Sequence, residues 1–168
     1  MLRVLVSSYQ MLSDAAEPPR PSRILALDVG KKRIGLAVSD QLGITAQGIE
    51  TLQRTHLRED LDHLRRIAAE WQIGLLLVGK PLHMSGDESR QSEYTREFAE
   101  RLGNHLRLPV VFWDERLTSA EAERLLREGG ASLAQRKKAV DRMAAVLLLE
   151  SYLESGSSRP AGEGEAVE

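Results

Sequence analysis

The sequence predicts one α/β domain built on a mixed β-sheet, and three observations lead to this fold class. Two apolar runs, 24–29 and 34–40, flank a Gly-Lys-Lys turn and predict an antiparallel hairpin. Later apolar runs over 73–79 and 110–113 alternate with helical periods, an order typical of right-handed parallel crossovers. The 168 residues are enough for one domain with a sizeable core.

Composition and charge exclude several classes of protein. The chain has no cysteine, which excludes a disulfide framework and thiolate metal sites and suits a cytoplasmic protein. No apolar run approaches the ~18 residues of a membrane span, and the N-terminus lacks the layout of a secretory signal. The net charge is −2, residues 155–168 carry −2 and residues 1–22 carry 0, so the middle of the chain is neutral. Any contacts with nucleic acid must therefore come from local basic patches.

The chain divides into three regions. Residues 1–22 carry three prolines and no clear period after Val6, and they predict a flexible extension in which Met11 is an alternative start. Residues 23–154 form the predicted domain. Residues 155–168 predict a disordered acidic tail.

The segments after the hairpin predict an edge strand and two helices. Residues 44–51 form a more polar, antiparallel third strand. Apolar residues recur at helical spacing over 57–71, and Thr55 is placed to cap this helix. The run 73–79, apolar on both faces, follows as an interior strand. Residues 80–88 predict a loop, and a second helix reaches 106.

Two helices close the predicted domain. A capping box from Thr118 to Glu121 opens a third helix, which Gly129 and Gly130 end. Residues 135–138 predict a basic loop. The apolar helix over 140–153 follows, and we expect it to pack deep against the sheet.

Three carboxylates stand at the ends of apolar elements. Asp28 closes the first strand, Glu115 closes the last strand, and Asp141 lies near the start of the apolar helix. Open α/β sheets bind ligands at the carboxyl ends of their parallel strands, so we expect these acids to meet there. Three close carboxylates repel one another, and a divalent cation relieves that repulsion. The predicted cofactor is Mg²⁺ or Mn²⁺.

Each charged residue also has a structural interpretation. Asp28 could be an exposed strand-end residue, and Asp141 could cap its helix or lie in the first turn, the commoner role for a lone acid there. Glu115 could pair with Arg116 on the surface. The other basic residues near the acids either contact solvent or bind phosphate: Lys31, Lys32, Arg33, Arg136 and Lys137.

Four motifs, taken in order, resemble the YqgF (RuvX-like) family of pre-16S ribosomal RNA nucleases, which are also described as Holliday junction resolvases. The motifs are Asp28–Asp40, Val78–Gly86, Asp114–Ala122 and Val140–Leu153. The resemblance covers residues 23 to 154 and implies a ribonuclease H-like fold. Four ordered motifs are far more specific than any one of them.

The resemblance also implies roles for individual residues. It makes Asp28, Glu115 and Asp141 the metal-binding catalytic acids and Arg116 a phosphate contact. The chain departs from the family pattern, without losing a core acid, at Lys80, Ser85 and Arg142. These departures concern the fit of the substrate rather than the metal site.

The three acids predict a hydrolase, a metal-dependent nuclease. The resemblance implies that it processes the 5′ end of precursor 16S ribosomal RNA, on ribosomal subunit precursors, during ribosome biogenesis. A Holliday junction resolvase acting on DNA is an alternative, and it requires a dimer. A non-catalytic RNA-binding assembly factor is another. A nucleotide-binding fold of the actin and sugar-kinase type needs two lobes, and 168 residues with one Asp-x-Gly motif are too few.

Overall fold

The computed structural model describes residues 22–81, 86–114, 124–130 and 132–156 of the chain. The strands are β1 (Arg23–Val29), β2 (Arg33–Ser39), β3 (Ala46–Gln53), β4 (Ile73–Lys80) and β5 (Val110–Asp114). The long helices are α1 (Leu57–Glu70), α2 (Gly86–Leu106) and α3 (Leu133–Glu154).

The strands form a five-stranded mixed sheet in the order β3-β2-β1-β4-β5. Strand β2 is antiparallel to β1 and β3, while β4 is parallel to β1 and β5. The predicted mixed sheet is confirmed, with the first strand in the centre and the third at an edge. Because β1, β4 and β5 run in the same direction, their carboxyl ends meet at one edge of the sheet.

Side chains of β1 alternate between two cores because successive strand residues point to opposite faces. Leu25, Leu27 and Val29 pack in the core covered by α1 and α2. Ile24 and Ala26 pack in the core covered by α3. The same alternation places half-buried Asp28 on the α3 face. In the part of the chain described, no helix is both long and apolar enough to cross a membrane.

Both helices that follow β3 and β4 begin differently from the prediction. The N-cap of α1 is His56 rather than Thr55, and its side chain forms no capping hydrogen bond. Instead, Asp60 in the first turn accepts a hydrogen bond from the Thr55 amide, with N···Oδ1 at 3.1 Å. Helix α2 begins at Gly86, inside the loop predicted for 80–88. Both errors concern helix ends, which an apolar period locates less precisely than the helix itself.

The prediction of a loop at 135–138 is wrong, because these residues lie in the first turns of α3. A capping box opens the helix: the Gln135 amide donates to Ser132 Oγ at 3.3 Å, and the Ser132 amide donates to Gln135 Oε1 at 3.2 Å. Charged first turns have no apolar period, so the pattern did not show this start. Asp141 lies eight residues beyond Leu133, well inside the helix. It is therefore neither an N-cap nor a first-turn acid.

Several predicted features lie outside the described residues. These are the extension up to residue 21, the tail from residue 157 and the capping box at Thr118–Glu121. Residues 124–128 are helical, and this short helix ends at Gly129 and Gly130 as predicted. Gly130 has a φ of +77°, the left-handed conformation that favours glycine at a helix end.

A buried ion pair holds the turn between β1 and β2 from the α1 and α2 side. Arg54 Nε donates to Asp60 Oδ2 at 3.4 Å, and the two side chains are 11% and 3% exposed. Arg54 Nη1 also donates to the Gly30 carbonyl at 3.1 Å and to the Tyr94 hydroxyl. Its guanidinium carbon lies 4.6 Å from the centre of the Phe98 ring. The buried charge is thus paired and hydrogen-bonded, as burial requires.

A second side chain holds the same turn. Gln91 Nε2 in α2 donates to the Val29 carbonyl at 3.3 Å. Together with the Arg54 contact, this fixes both backbone carbonyls that follow Asp28.

We expect Asp60→Asn to lower the free energy of unfolding by about 3 kcal/mol, because it leaves the Arg54 charge buried without a counter-charge. Urea denaturation followed by circular dichroism measures this value. The control is Asp62→Asn on the same helix, because Asp62 is 51% exposed and pairs with His105. The control should cost under about 1 kcal/mol. Equal stabilities of the two variants would contradict the role given to the ion pair.

Candidate active site

Gly35 in β2 allows α3 to touch the sheet where β1 ends. Gly35 is the antiparallel partner of Asp28. A Cβ atom built on Gly35 would lie 1.8 Å from the carbonyl oxygen of Asp141 and 2.2 Å from its carbonyl carbon. No side chain fits in this space, so the helix backbone rests directly on the strand backbone. We call this the Gly35 contact, and it holds the backbone of Asp141 against the strand partner of Asp28.

A second glycine fixes the path of the helix. A Cβ atom on Gly48 in β3 would lie 2.7 Å from Cγ of Arg142 and 3.3 Å from Cγ2 of Val146. Helix α3 therefore crosses β2 at Gly35 and β3 at Gly48, which is paired with Ala37, two residues further along β2.

Asp141 forms an ion pair with Arg33. Arg33 Nε donates to Asp141 Oδ2 at 2.8 Å, and the side chains are 30% and 22% exposed, respectively. Arg33 begins β2 and lies two residues before Gly35, so the two residues share the α3 face of the strand. The pair therefore depends on the same helix position as the Gly35 contact.

Lys31 and Lys32 lie exposed at the tip of the hairpin. They line an open cavity of about 440 Å³ together with Arg54, Leu57 and Tyr94. These last residues follow β3 or belong to α1 and α2, so the cavity lies across the hairpin from α3. The basic residues predicted near Asp28 therefore lie on opposite sides of the hairpin. Arg33 lies on the side of α3, and the two lysines line the cavity on the other side.

The last parallel strand ends at the same edge of the sheet. Asp114 closes β5 and is paired in register with Lys80, the last residue of β4. Glu115, the next residue in the chain, lies outside the described residues, as does Arg116. Arg136 and Lys137 lie in the first turns of α3.

The donor atoms at this edge suit a hard divalent cation. Asp28 and Asp141 offer only carboxylate oxygens, the ligands that Mg²⁺ and Mn²⁺ prefer. Among the described residues, no group of three His, Cys, Asp or Glu could hold a metal ion. Asp28 and the backbone of Asp141 lie at the same edge of the sheet, and Glu115 lies outside the described residues, so the three-acid site stays a prediction.

Sequence reasoning missed the ion pair between Arg54 and Asp60. One signal was available: Asp60 lies on the same face of α1 as Leu57, Leu61 and Leu64. An acid on this apolar face is buried, and a buried charge needs a partner of opposite charge. The partnership of Arg33 with Asp141 had no such signal, because 108 residues separate them.

This fold and its acidic edge define a ribonuclease H-like α/β protein, and solved structures agree. Thermus thermophilus RuvC in complex with a Holliday junction substrate matches with a TM-score of 0.54 at 10% identity, covering 81% of this chain and 96% of that one. The yeast mitochondrial Holliday junction resolvase Ydc2 matches with a TM-score of 0.50 at 10% identity, covering 85% and 82%. At such low identity, the likeness shows the fold alone.

The sequence shows the family. A sequence model of RuvX, described as "Holliday junction resolvase", matches residues 22–155, and the chain belongs to this family. A relative from Koribacter versatilis is 54% identical over 132 residues, covering 79% of this chain and 86% of the relative. One from Clostridium novyi is 47% identical over 133 residues, covering 79% and 98%. Both are named "Putative pre-16S rRNA nuclease". The predicted family, and with it a hydrolase acting on phosphodiester bonds of nucleic acid, is confirmed at the family level.

We expect Gly35→Ala to push α3 away from the sheet and to lower the free energy of unfolding by about 3 kcal/mol, because the new methyl group overlaps the helix backbone. Urea denaturation measures the loss. Gly86→Ala is the control, since no atom lies within 4 Å of a Cβ built there. A Gly35→Ala protein as stable as the wild type would refute the Gly35 contact.

Proposed function

We propose that this chain is a divalent-metal-dependent nuclease that processes the 5′ end of precursor 16S ribosomal RNA in the cytoplasm. The observation that supports the proposal is the Gly35 contact, in which the Asp141 backbone lies against the strand partner of Asp28 at the edge where the parallel strands end. The substrate is supported by relatives of that name, which are 54% and 47% identical over most of their length. The solved resolvases share only 10% identity.

In this proposal, Asp28, Glu115 and Asp141 supply the oxygen ligands and are the catalytic acids. Bound Mg²⁺ or Mn²⁺ supplies the activation of the attacking water and the stabilisation of the leaving 3′-oxygen. Asp28 is held on a central strand and Asp141 on a helix backbone that touches that strand's partner. Ligands on such rigid elements keep their geometry without help from the substrate.

Basic residues around the edge hold the nucleic acid backbone in this proposal. Lys31 and Lys32 are exposed on the hairpin tip, where a phosphate can reach them. Phosphate contacts of this kind fix the register of the substrate but do not read its sequence. The full proposed set of substrate-binding residues is Lys31, Lys32, Arg33, Arg116, Arg136 and Lys137.

A DNA junction resolvase with the same acids is the second candidate, and the description of the family favours it. Resolution of a junction needs two active sites related by symmetry, so this candidate requires a dimer. A third candidate, a non-catalytic assembly factor that binds RNA, requires no metal site. Sedimentation and metal titration separate these candidates before any cleavage assay.

We expect Asp28→Asn and Asp141→Asn to fold normally and to lose at least about a hundredfold in turnover, because an amide is a poor substitute for a charged metal ligand. The assay compares a structured precursor-16S fragment and a four-way DNA junction, each with Mg²⁺, Mn²⁺ or EDTA. Asp62→Asn, an exposed acid on α1, is the matched control and should keep full activity.

Each outcome of this assay decides between the candidates. Metal-dependent cleavage of RNA that both site variants lose supports the proposal. Cleavage of the junction alone supports the resolvase. An active Asp28→Asn protein at saturating metal rules out the proposed site.

A further inference from the structure

We infer that Arg33 is a positioning residue that acts as the internal counter-ion of Asp141 and competes with the metal ion for this carboxylate. The inference rests on the proposed metal site and gives one of its residues a regulatory role. The ion pair joins Arg33 Nε and Asp141 Oδ2 at 2.8 Å. It is therefore formed with one of the proposed metal ligands itself.

The ion pair is built by the fold rather than by neighbouring sequence. Arg33 begins β2 and Asp141 lies in α3, 108 residues later. The Gly35 contact sets the distance between the two elements and so fixes the pair. Both side chains are partly screened from water, at 30% and 22% exposure, which strengthens their attraction relative to an open surface pair.

The form of the contact allows a metal ion to displace Arg33. The hydrogen bond between Arg33 and Asp141 joins one nitrogen to one oxygen. The strongest pairs of arginine and carboxylate use two parallel hydrogen bonds. When the metal is absent, the guanidinium neutralises Asp141 and reduces its repulsion with Asp28. When a divalent ion binds, two cations share one carboxylate and repel each other.

The two effects of Arg33 on metal affinity have opposite signs. Orienting Asp141 favours the metal, and the positive charge opposes it. The charge effect is the larger, because the metal carries two charges and the Gly35 contact already fixes the Asp141 backbone without Arg33. Removing the charge should therefore tighten metal binding.

The test is a calorimetric titration of the full chain with Mn²⁺, without nucleic acid. We expect Arg33→Gln to bind Mn²⁺ about three- to tenfold more tightly than the wild type, and Arg33→Lys, which keeps the charge, to stay within about twofold. The difference should shrink at 1 M salt, where charges are screened within about 3 Å. Arg33→Met provides a second uncharged variant, and circular dichroism checks the folding of each.

Two arginines serve as controls. Arg142→Gln removes a charge one residue from Asp141, where the side chain lies over Gly48. Arg96→Gln removes an exposed arginine on α2 that pairs with Glu100. Both should bind Mn²⁺ within about twofold of the wild type.

The outcomes distinguish this inference from the proposed function. If the wild type binds Mn²⁺ and Arg33→Gln binds it equally or more weakly, the inference is overturned and the metal site stands. An equal gain in Arg142→Gln also overturns the inference, because it shows an effect of net charge. If the wild type binds no Mn²⁺, the proposed metal site fails and the inference fails with it.

Discussion

Helix α3 reaches the sheet because β2 has no side chain at residue 35, and the proposed site depends on this contact. Any other residue there would place a Cβ 1.8 Å from the Asp141 carbonyl oxygen. The β1–β2 register then decides which residue lies beside Asp141, and that residue is Asp28. Backbone contact and strand register together thus bring two acids from distant parts of the chain to one edge.

The opposite face of the sheet stabilises the same edge. Arg54 and Gln91 bind the carbonyls of Gly30 and Val29, directly after Asp28. The arginine is held in turn by buried Asp60. The end of β1 is therefore fixed from the α1 and α2 side by hydrogen bonds and lies under α3 on the other side. Such support on two faces suits a site whose ligands must keep their geometry.

The sequence predicted the fold well because the strands are apolar and glycine-bounded and the helices are periodic. It also predicted that Asp28, Glu115 and Asp141 would come together at the edge where the parallel strands end, and this three-acid site stays a prediction. It missed the start of α3, because the charged residues 135–138 lack an apolar period and a capping box decides the start. It also missed the partners of Arg33 and Arg54, since such pairs depend on how distant elements pack.

In the proposed site, Asp28 and Asp141 share a divalent ion with Glu115. Crystals of the full chain grown with Mn²⁺ test this most directly, through an anomalous difference map recorded near the manganese absorption edge. We expect a peak within about 2.3 Å of carboxylate oxygens from Asp28 and Asp141, with Glu115 as the third ligand. No peak at this edge, with Asp141 still bound only to Arg33, would contradict it.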